Sequence, residues 1–462
     1  MRLLSSLALM SFLGACAGGY RAPSENLPDP LKLKVHSHRL ENGLTLLVVE
    51  NSALPIYSLY SFYKVGGKDE RKGITGASHF LEHLMFKGTK NTSASRFDYL
   101  VEGNGGTSNA YTTNDFTVYH ENMPSSTLEL MLSVEADRMV NLVIDPKEFE
   151  QERQVVLEER KMRYENSPRG QVYLRMMEEM FRGTPYGTSV IGDVQDLKTV
   201  SRNQIYNYYR QWYAPNNATI VVVGDVKAGE VKTLVQKHFG GLKASPVPEA
   251  SRAAVPDSAF KHDHEAIHQD LHGQAATPLF MLAFPGDAIG TPRGFAMDLM
   301  SKIFADGNSS YLNRKYTLAK RPRATNIYAG NYTLEKAGTF MVGGELVRGV
   351  DPAKFKEQLL KSLTQGCQAA VTETTLQKVK NQYQKELYGE LDTNAGVAQF
   401  IGDRQSYFGD WAYYRREVKA YNALTVAQVK AACAEIMADK RHVWVTVWEK
   451  NPKAAAAVEK KQ

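Results

Sequence analysis

The sequence lacks a strong charge bias. Lys and Arg number 56 against 50 Asp and Glu, and the surplus of +6 is scattered along the chain. No basic stripe alternates with aromatics, which argues against nucleic acid as a partner. A phosphate-cradling loop is also missing. Val65-Gly66-Gly67 and Gly105-Gly106 have neither the following Lys-Ser/Thr nor the strand-to-helix setting that such a loop needs. The opening apolar run, Leu3 to Leu13, is too short to cross a bilayer. Cysteine is scarce, at three in 462 residues. What remains is the composition of a soluble globular protein, 43% apolar and 23% charged. The length exceeds one hydrophobic core, so two or more domains are expected.

The first residues read as a targeting segment rather than as fold. Arg2 followed by Leu3 to Leu13 fits the core of a signal peptide. It ends in Leu13-Gly14-Ala15-Cys16, which resembles a bacterial lipobox, whose Cys becomes the lipidated first residue of the mature protein. Ala17 replaces the Asp that usually retains lipoproteins in the inner membrane. Residues 1–16 are therefore expected to be a lipoprotein-type signal peptide, with Cys16 anchoring the chain to the outer membrane on its periplasmic side. A plain secretory signal with an incidental Cys is the competing reading. Cys367 and Cys433 are left over, each in an apolar, helical stretch. An exported protein could join them, and buried free thiols fit as well, so the sequence leaves both open.

Residues 17–33 read as an unpatterned tether. His38 to Val49 reads as a β-hairpin turning at Asn42-Gly43. Strand character follows at Pro55–Val65, at Thr107–Glu121 and at Ala218–Asp225. Helical patterns cover Ala77–Phe86, Ser93–Glu102, Ser126–Val143, Pro146–Tyr164 and Arg202–Trp212. Residues 241–262 carry Pro246, Pro248 and Pro256 without periodicity and form the best linker in the chain. Beyond it the order of elements repeats. Strand-like Pro278–Phe284 precedes helical Phe295–Phe304, and a helix at Val426–Met437 leads to a last strand, His442–Trp448. The expected fold class is α+β, with two homologous α/β-sandwich halves at 34–240 and 263–450, each a mixed sheet with helices packed on it. Residues 451–462 read as a solvated tail.

Chemistry concentrates in His79-Phe80-Leu81-Glu82-His83. Residues four apart share a helix face, so His79 and His83 can address one ion. Glu82 flanks that face and can reach a water on the metal. Two imidazoles and one carboxylate suit catalytic zinc, with a position left for water. The pentapeptide alone also fits two ordinary histidines on a half-buried helix. The third ligand must come from elsewhere, and the helical segment 146–164 carries Glu148, Glu150, Glu152, Glu158, Glu159 and Glu165, most of which read as its solvated face; Glu152 and Glu159 lie two turns apart, on one face beside Val155-Val156, so either could point inward.

Here the chain resembles the pitrilysin, insulin-degrading enzyme and mitochondrial processing peptidase family, whose His-x-x-Glu-His inverts the usual zincin order. The family's third ligand is a Glu about 76 residues past the second His, and Glu159 stands there, in Glu152-Arg153-Gln154-Val155-Val156-Leu157-Glu158-Glu159. Pro185-Tyr186-Gly187, Ile191-Gly192, Trp212-Tyr213-Ala214-Pro215-Asn216-Asn217 and Val223-Gly224-Asp225 match as well. The likeness runs over about residues 36–450. It implies one zinc ion per chain on His79, His83 and Glu159. It also implies catalytic roles for Glu82 as base and for Glu152 as the acidic residue that supports the site. Gly105 to Thr112 resembles the family's substrate-side strand, on which an extended peptide adds by backbone hydrogen bonds. The match places Asn109 and Ala110 near the scissile bond and makes Tyr111 the wall of a side-chain pocket.

The second half departs from the pattern. Family members that complete the site carry an Arg and, seven residues later, a Tyr after a Ser-Ser-Arg-Leu signature. Here the signature is Ser309-Ser310-Tyr311-Leu312, and the positions hold Thr317 and Ala324. Arg321 and Tyr328 have the spacing only after a four-residue shift. The resemblance is thus to the zinc-bearing subunit of half-length bacterial members, for which a homologous subunit without zinc supplies the Arg/Tyr pair; a homodimer is the other arrangement. The expected activity is zinc-dependent cleavage of peptides or unfolded polypeptide, against a non-catalytic scaffold or peptide-binding subunit as the alternative. His262, His264, His268 and His272 cluster after the linker, and without a fixed carboxylate or Cys pattern they read as a domain-entry segment.

Overall fold

The computed structural model describes residues 29–246, 248, 251, 256–273 and 275–448. The signal peptide with Cys16, most of the tether and the tail lie outside these residues. Six strands form a first sheet: β1 (His36–Arg39), β2 (Thr45–Glu50), β3 (Ile56–Tyr63), β4 (Thr107–Thr112), β5 (Thr117–Pro124) and β6 (Ala218–Gly224). Their order is β1-β2-β6-β3-β5-β4, so β4 is an edge. Five strands form a second: β7 (Ile267–His272), β8 (Leu279–Gly286), β9 (Ala324–Thr333), β10 (Gly338–Leu346) and β11 (Val443–Trp448), in the order β7-β11-β8-β10-β9. In both sheets the last strand of the half is inserted centrally. It runs parallel to one neighbour and antiparallel to the other: β6 between β2 and β3, β11 between β7 and β8.

Helices of the first half are α1 (Ala77–Leu84), α2 (Ala94–Glu102), α3 (Leu128–Asn141), α4 (Pro146–Arg160), α5 (Pro168–Met180), α6 (Val194–Thr199), α7 (Arg202–Trp212) and α8 (Ala228–Phe239). Those of the second are α9 (Pro292–Ala305), α10 (Tyr311–Tyr316), α11 (Pro352–Ala369), α12 (Glu373–Gly389), α13 (Asn394–Phe408), α14 (Tyr414–Ala423) and α15 (Val426–Ala438). Two α/β sandwiches result. Among the described residues no helix is long and apolar enough to cross a membrane.

The central strand β6 is buried at every position because both sheet faces are covered, and its run is almost wholly apolar. Leu46, Val48, Ile220 and Val222 face one core, and Leu47, Val49, Val221 and Val223 face another. The second core is closed by an exchange. Helix α13, from the second half, lies on the outer face of β3 and β6, bringing Val397, Ala398, Phe400 and Ile401. Helix α5, from the first half, lies on β8 and β11, bringing Val172, Met176, Met177 and Met180. Each half therefore covers one face of the other.

Thr107–Glu121 is not one strand. It folds back between β4 and β5, where Thr113 Oγ1 accepts from the amides of Asp115 and Phe116 at 3.1 and 3.0 Å. A threonine turn of this kind competes with the ladder. Helix α5 has no counterpart in the sequence reading; Ser167 caps it and Pro168 opens it. Cys367 of α11 and Cys433 of α15 form a disulfide, with their Cα atoms 5.5 Å apart, which settles the alternative left open by sequence.

Candidate active site

Helix α1 is short, so its placement depends on its start. Gly76 precedes it at φ +85°, and a Cβ there would come within 2.5 Å of the Ile191 carbonyl oxygen. Glu70 supplies the cap that Gly76 cannot, accepting from the amides of Gly76 and Ser78 at 2.6 and 2.7 Å. Ser78 also meets the Tyr208 hydroxyl at 2.8 Å, tying α1 to α7. Helix α4 packs against α1 and starts on Asp145, whose carboxylate accepts from the amides of Lys147 and Glu148.

This packing brings three of the expected residues together. Glu159 Oε2 lies 3.6 Å from His79 Nε2 and 3.3 Å from His83 Nε2. The two imidazole centroids are 4.8 Å apart. Among the described residues, His79, His83 and Glu159 are the group whose ligand atoms could hold a metal ion, all within 4.8 Å of one another. Glu159 Oε2 is buried without a hydrogen bond, as a metal-ligating oxygen would be left. Two imidazole nitrogens and a carboxylate oxygen are a donor set that suits zinc.

The neighbours fix orientation. His83 Nδ1 lies 3.2 Å from Glu152 Oε2, and Lys87 Nζ holds the other oxygen of Glu152 at 2.5 Å. Glu152 thus fixes the His83 ring, and with Nδ1 donating, Nε2 of His83 presents its lone pair toward Glu159. Arg163 Nη2 holds Glu159 Oε1 at 2.6 Å. Glu82 accepts from Thr112 Oγ1 at 2.5 Å across from β4. Burial raises the Glu82 carboxyl above its ordinary range, against the pull of the Thr112 hydrogen bond. Burial and the neighbouring His83 ring bring His79 down to about 4. For His83 burial works downward too, but the adjoining Glu159 carboxylate and the hydrogen bond to Glu152 outweigh it and raise the imidazole.

These groups line an open cavity of about 940 Å³ with Asn109 and Ala110 on its wall. Strand β4 pairs only with β5, so its other edge is free of strand partners among the described residues. Tyr111 does not join this wall. Strand alternation turns it to the opposite face, where it packs in the layer closed by α13, 6.5 Å from the His120 ring. The pocket expected of Tyr111 is therefore not part of this cavity. Thr317 ends α10 with its hydroxyl on the Asn313 carbonyl, and Ala324 is buried at the start of β9. Tyr328 lies on β9, the free edge of the second sheet, 47% exposed. The four histidines after the linker do not converge. His262 lies between the carbonyls of Met180 and Gly338, His264 beside that of Glu265, and His268 beside Asp270. Sequence reasoning missed Glu70, Lys87 and Thr112, whose contacts need tertiary neighbours, and Arg163, which the i,i+4 spacing from Glu159 could have found.

Comparison with known proteins identifies the setting. Residues 58–194 match the family described as insulinase (peptidase family M16), and residues 199–383 match the peptidase M16 inactive domain. The zinc protease PqqE of Helicobacter pylori (strain ATCC 700392 / 26695) is 31% identical over 409 residues, 86% of this chain and 88% of that protein. The chain belongs to peptidase family M16. The probable mitochondrial-processing peptidase subunit beta of Arabidopsis thaliana is 26% identical over 411 residues, 84% of this chain and 74% of that protein. The crystal structure of a protease from Helicobacter pylori superposes with a TM-score of 0.82 at 28% identity, covering 90% of this chain and 100% of that one. A structure of the peptidase M16 inactive domain from Pseudomonas fluorescens shares the fold, with a TM-score of 0.79 at 19% identity, covering 91% of this chain and 98% of that one.

Proposed function

We propose that this M16 chain is the zinc-bearing subunit of an endopeptidase that cleaves peptides or unfolded polypeptide. The observation that carries the reading is the meeting of His79, His83 and Glu159 in one open cavity, with Glu82 on its wall. Zinc held there would lower the pKa of a water in the cavity and polarise the peptide carbonyl. Glu82 takes the water's proton as it attacks and returns it to the leaving amine. Its raised carboxyl suits this two-way transfer, and Thr112 anchors Oε2 so that Oε1 carries the proton. The free edge of β4 takes the substrate as an added strand past Asn109 and Ala110, which holds the backbone with little dependence on sequence.

Thr317 and Ala324 offer no cation or phenol for the developing oxyanion, so a homologous second subunit completes the chamber. The reading extends to place: a periplasmic protein held to the outer membrane through Cys16. The scaffold alternative draws on the inactive-domain match at 199–383, but a scaffold has no use for an intact ligand set. Glu82→Gln separates the two. It is expected to bind one zinc per chain and lose hydrolysis. A variant that cleaves at the wild-type rate sinks the mechanism, and a wild-type chain that cleaves nothing, alone or with its co-purified partner, favours the scaffold.

A further inference from the structure

Helix α4 does not end in an ordinary turn. After Arg160 the backbone widens into a π-helical turn over Lys161–Glu165, closed by the Asn166 amide on the Lys161 carbonyl at 2.8 Å. Such turns are rare, and many sit at functional sites. Arg163 lies within this one, and its guanidinium reaches back to Glu159 Oε1 at 2.6 Å. The turn is pinned from two sides. Arg160 donates to the Gly192 carbonyl at 2.9 Å and to Glu165 at 2.6 Å. Gly170, in the first turn of α5, sits so close that a Cβ would lie 1.8 Å from the Arg163 carbonyl oxygen. Helix α5 is the one that the first half gives to the second sheet.

We infer that Arg163 is a positioning residue for the metal centre, and that α5, through Gly170, holds it in register, so that the second half of the chain helps aim Glu159. The inference rests on the zinc reading above. Glu159 has two oxygens and one direction to keep. Oε2 faces both imidazoles, and Oε1 is kept from competing by Arg163. Without that grip a long acidic side chain at a helix end regains its rotamers. An ion pair with one exposed partner adds little to folding stability, and Arg163 is 63% exposed. Its effect is therefore on zinc and not on the fold. Outer partners of metal ligands are typically worth 10- to 100-fold in affinity, and an exposed one belongs at the lower end, about tenfold.

The test is zinc affinity of the metal-stripped full chain, by competition with a chromophoric chelator. Arg163→Ala is expected to weaken zinc about tenfold, Arg163→Lys to recover most of it, and thermal unfolding of the metal-free proteins to coincide. Gly170→Ala is expected to weaken zinc in the wild-type background but to add nothing in Arg163→Ala, since both act through one contact. If Gly170→Ala does not fold, the Arg163 pair decides. Arg163→Ala that binds zinc as tightly as wild type overturns this inference alone. A wild-type chain that binds no zinc overturns the zinc reading with it.

Discussion

Glu152 offers the sharpest check on how the centre is built. Its carboxylate is buried and both oxygens are engaged, by His83 Nδ1 at 3.2 Å and by Lys87 at 2.5 Å. Glu152→Ala removes both contacts. Lys87 is 29% exposed and can turn to water, so its share of the loss is small. His83 cannot, and its ring loses the acceptor that fixes the tautomer. A hydrogen bond to a charged group contributes about 1.5–3 kcal/mol. Loss of an outer partner of a metal ligand costs about 10- to 100-fold in affinity, or about 1.4–2.7 kcal/mol. The two estimates meet near 2 kcal/mol, about thirtyfold in zinc affinity. Glu152→Gln keeps an acceptor oxygen for Nδ1 and is expected to lose less than about tenfold. Chelator competition at fixed neutral pH measures both, and the nitrogen chemical shifts of His83 report the tautomer. A Glu152→Ala chain whose zinc affinity stays within about threefold of wild type would refute the orienting role, since 1.4 kcal/mol is already tenfold.

Cys433→Ala opens a 66-residue loop in the unfolded chain and is expected to cost about 4 kcal/mol, read as a drop in the thermal midpoint. A midpoint unchanged from wild type under oxidising conditions would count against the cross-link. Gly402→Ala would put a Cβ 2.1 Å from the Phe62 ring, where α13 lies on the first sheet. Overpacking of this kind costs about 1–3 kcal/mol, visible in the denaturant midpoint. Burial pushes the Asp29 carboxyl up, but hydrogen bonds from Tyr414 and the Leu31 amide and the charge of Arg415 outweigh it and hold the group below its ordinary value. The stability it contributes is full above the unfolded pKa near 3.8 and lost as pH falls through the lower folded value. Wild type and Asp29→Asn should then differ in thermal midpoint at neutral pH and converge in acid; a constant gap contradicts the assignment.

Much of the candidate site was legible in the chain because the residues that the structure brings together lie at helical spacings. His79 and His83 share a face of one helix by arithmetic, and Glu152 and Glu159 do so on another. Arg163 stands four residues after Glu159 on the expected helix, so their pairing was within reach of the spacing; the π-helical turn that carries Arg163 was not, because no periodicity announces it. Thr112 meets Glu82 across two elements far apart in sequence. Tyr111 shows the limit of motif matching: it lies on the expected strand, but strand alternation turns it to the face away from His79, His83 and Glu159. The two sheets followed from repeated apolar strands. The exchange of α5 and α13 did not, because an amphipathic pattern says that a face is buried and not which sheet buries it.

That exchange has a consequence for how the chain is made. The first sheet is complete at Gly224, but the helix that covers its outer face begins at Asn394. Roughly 170 residues must still be joined, which takes about 10–30 s at common rates of synthesis. Through that interval Leu47, Val49, Phe62, Val221 and Val223 lack the layer that α13 lays over them. The newborn first half is an adhesive surface with a waiting time that ends only when its own second half arrives.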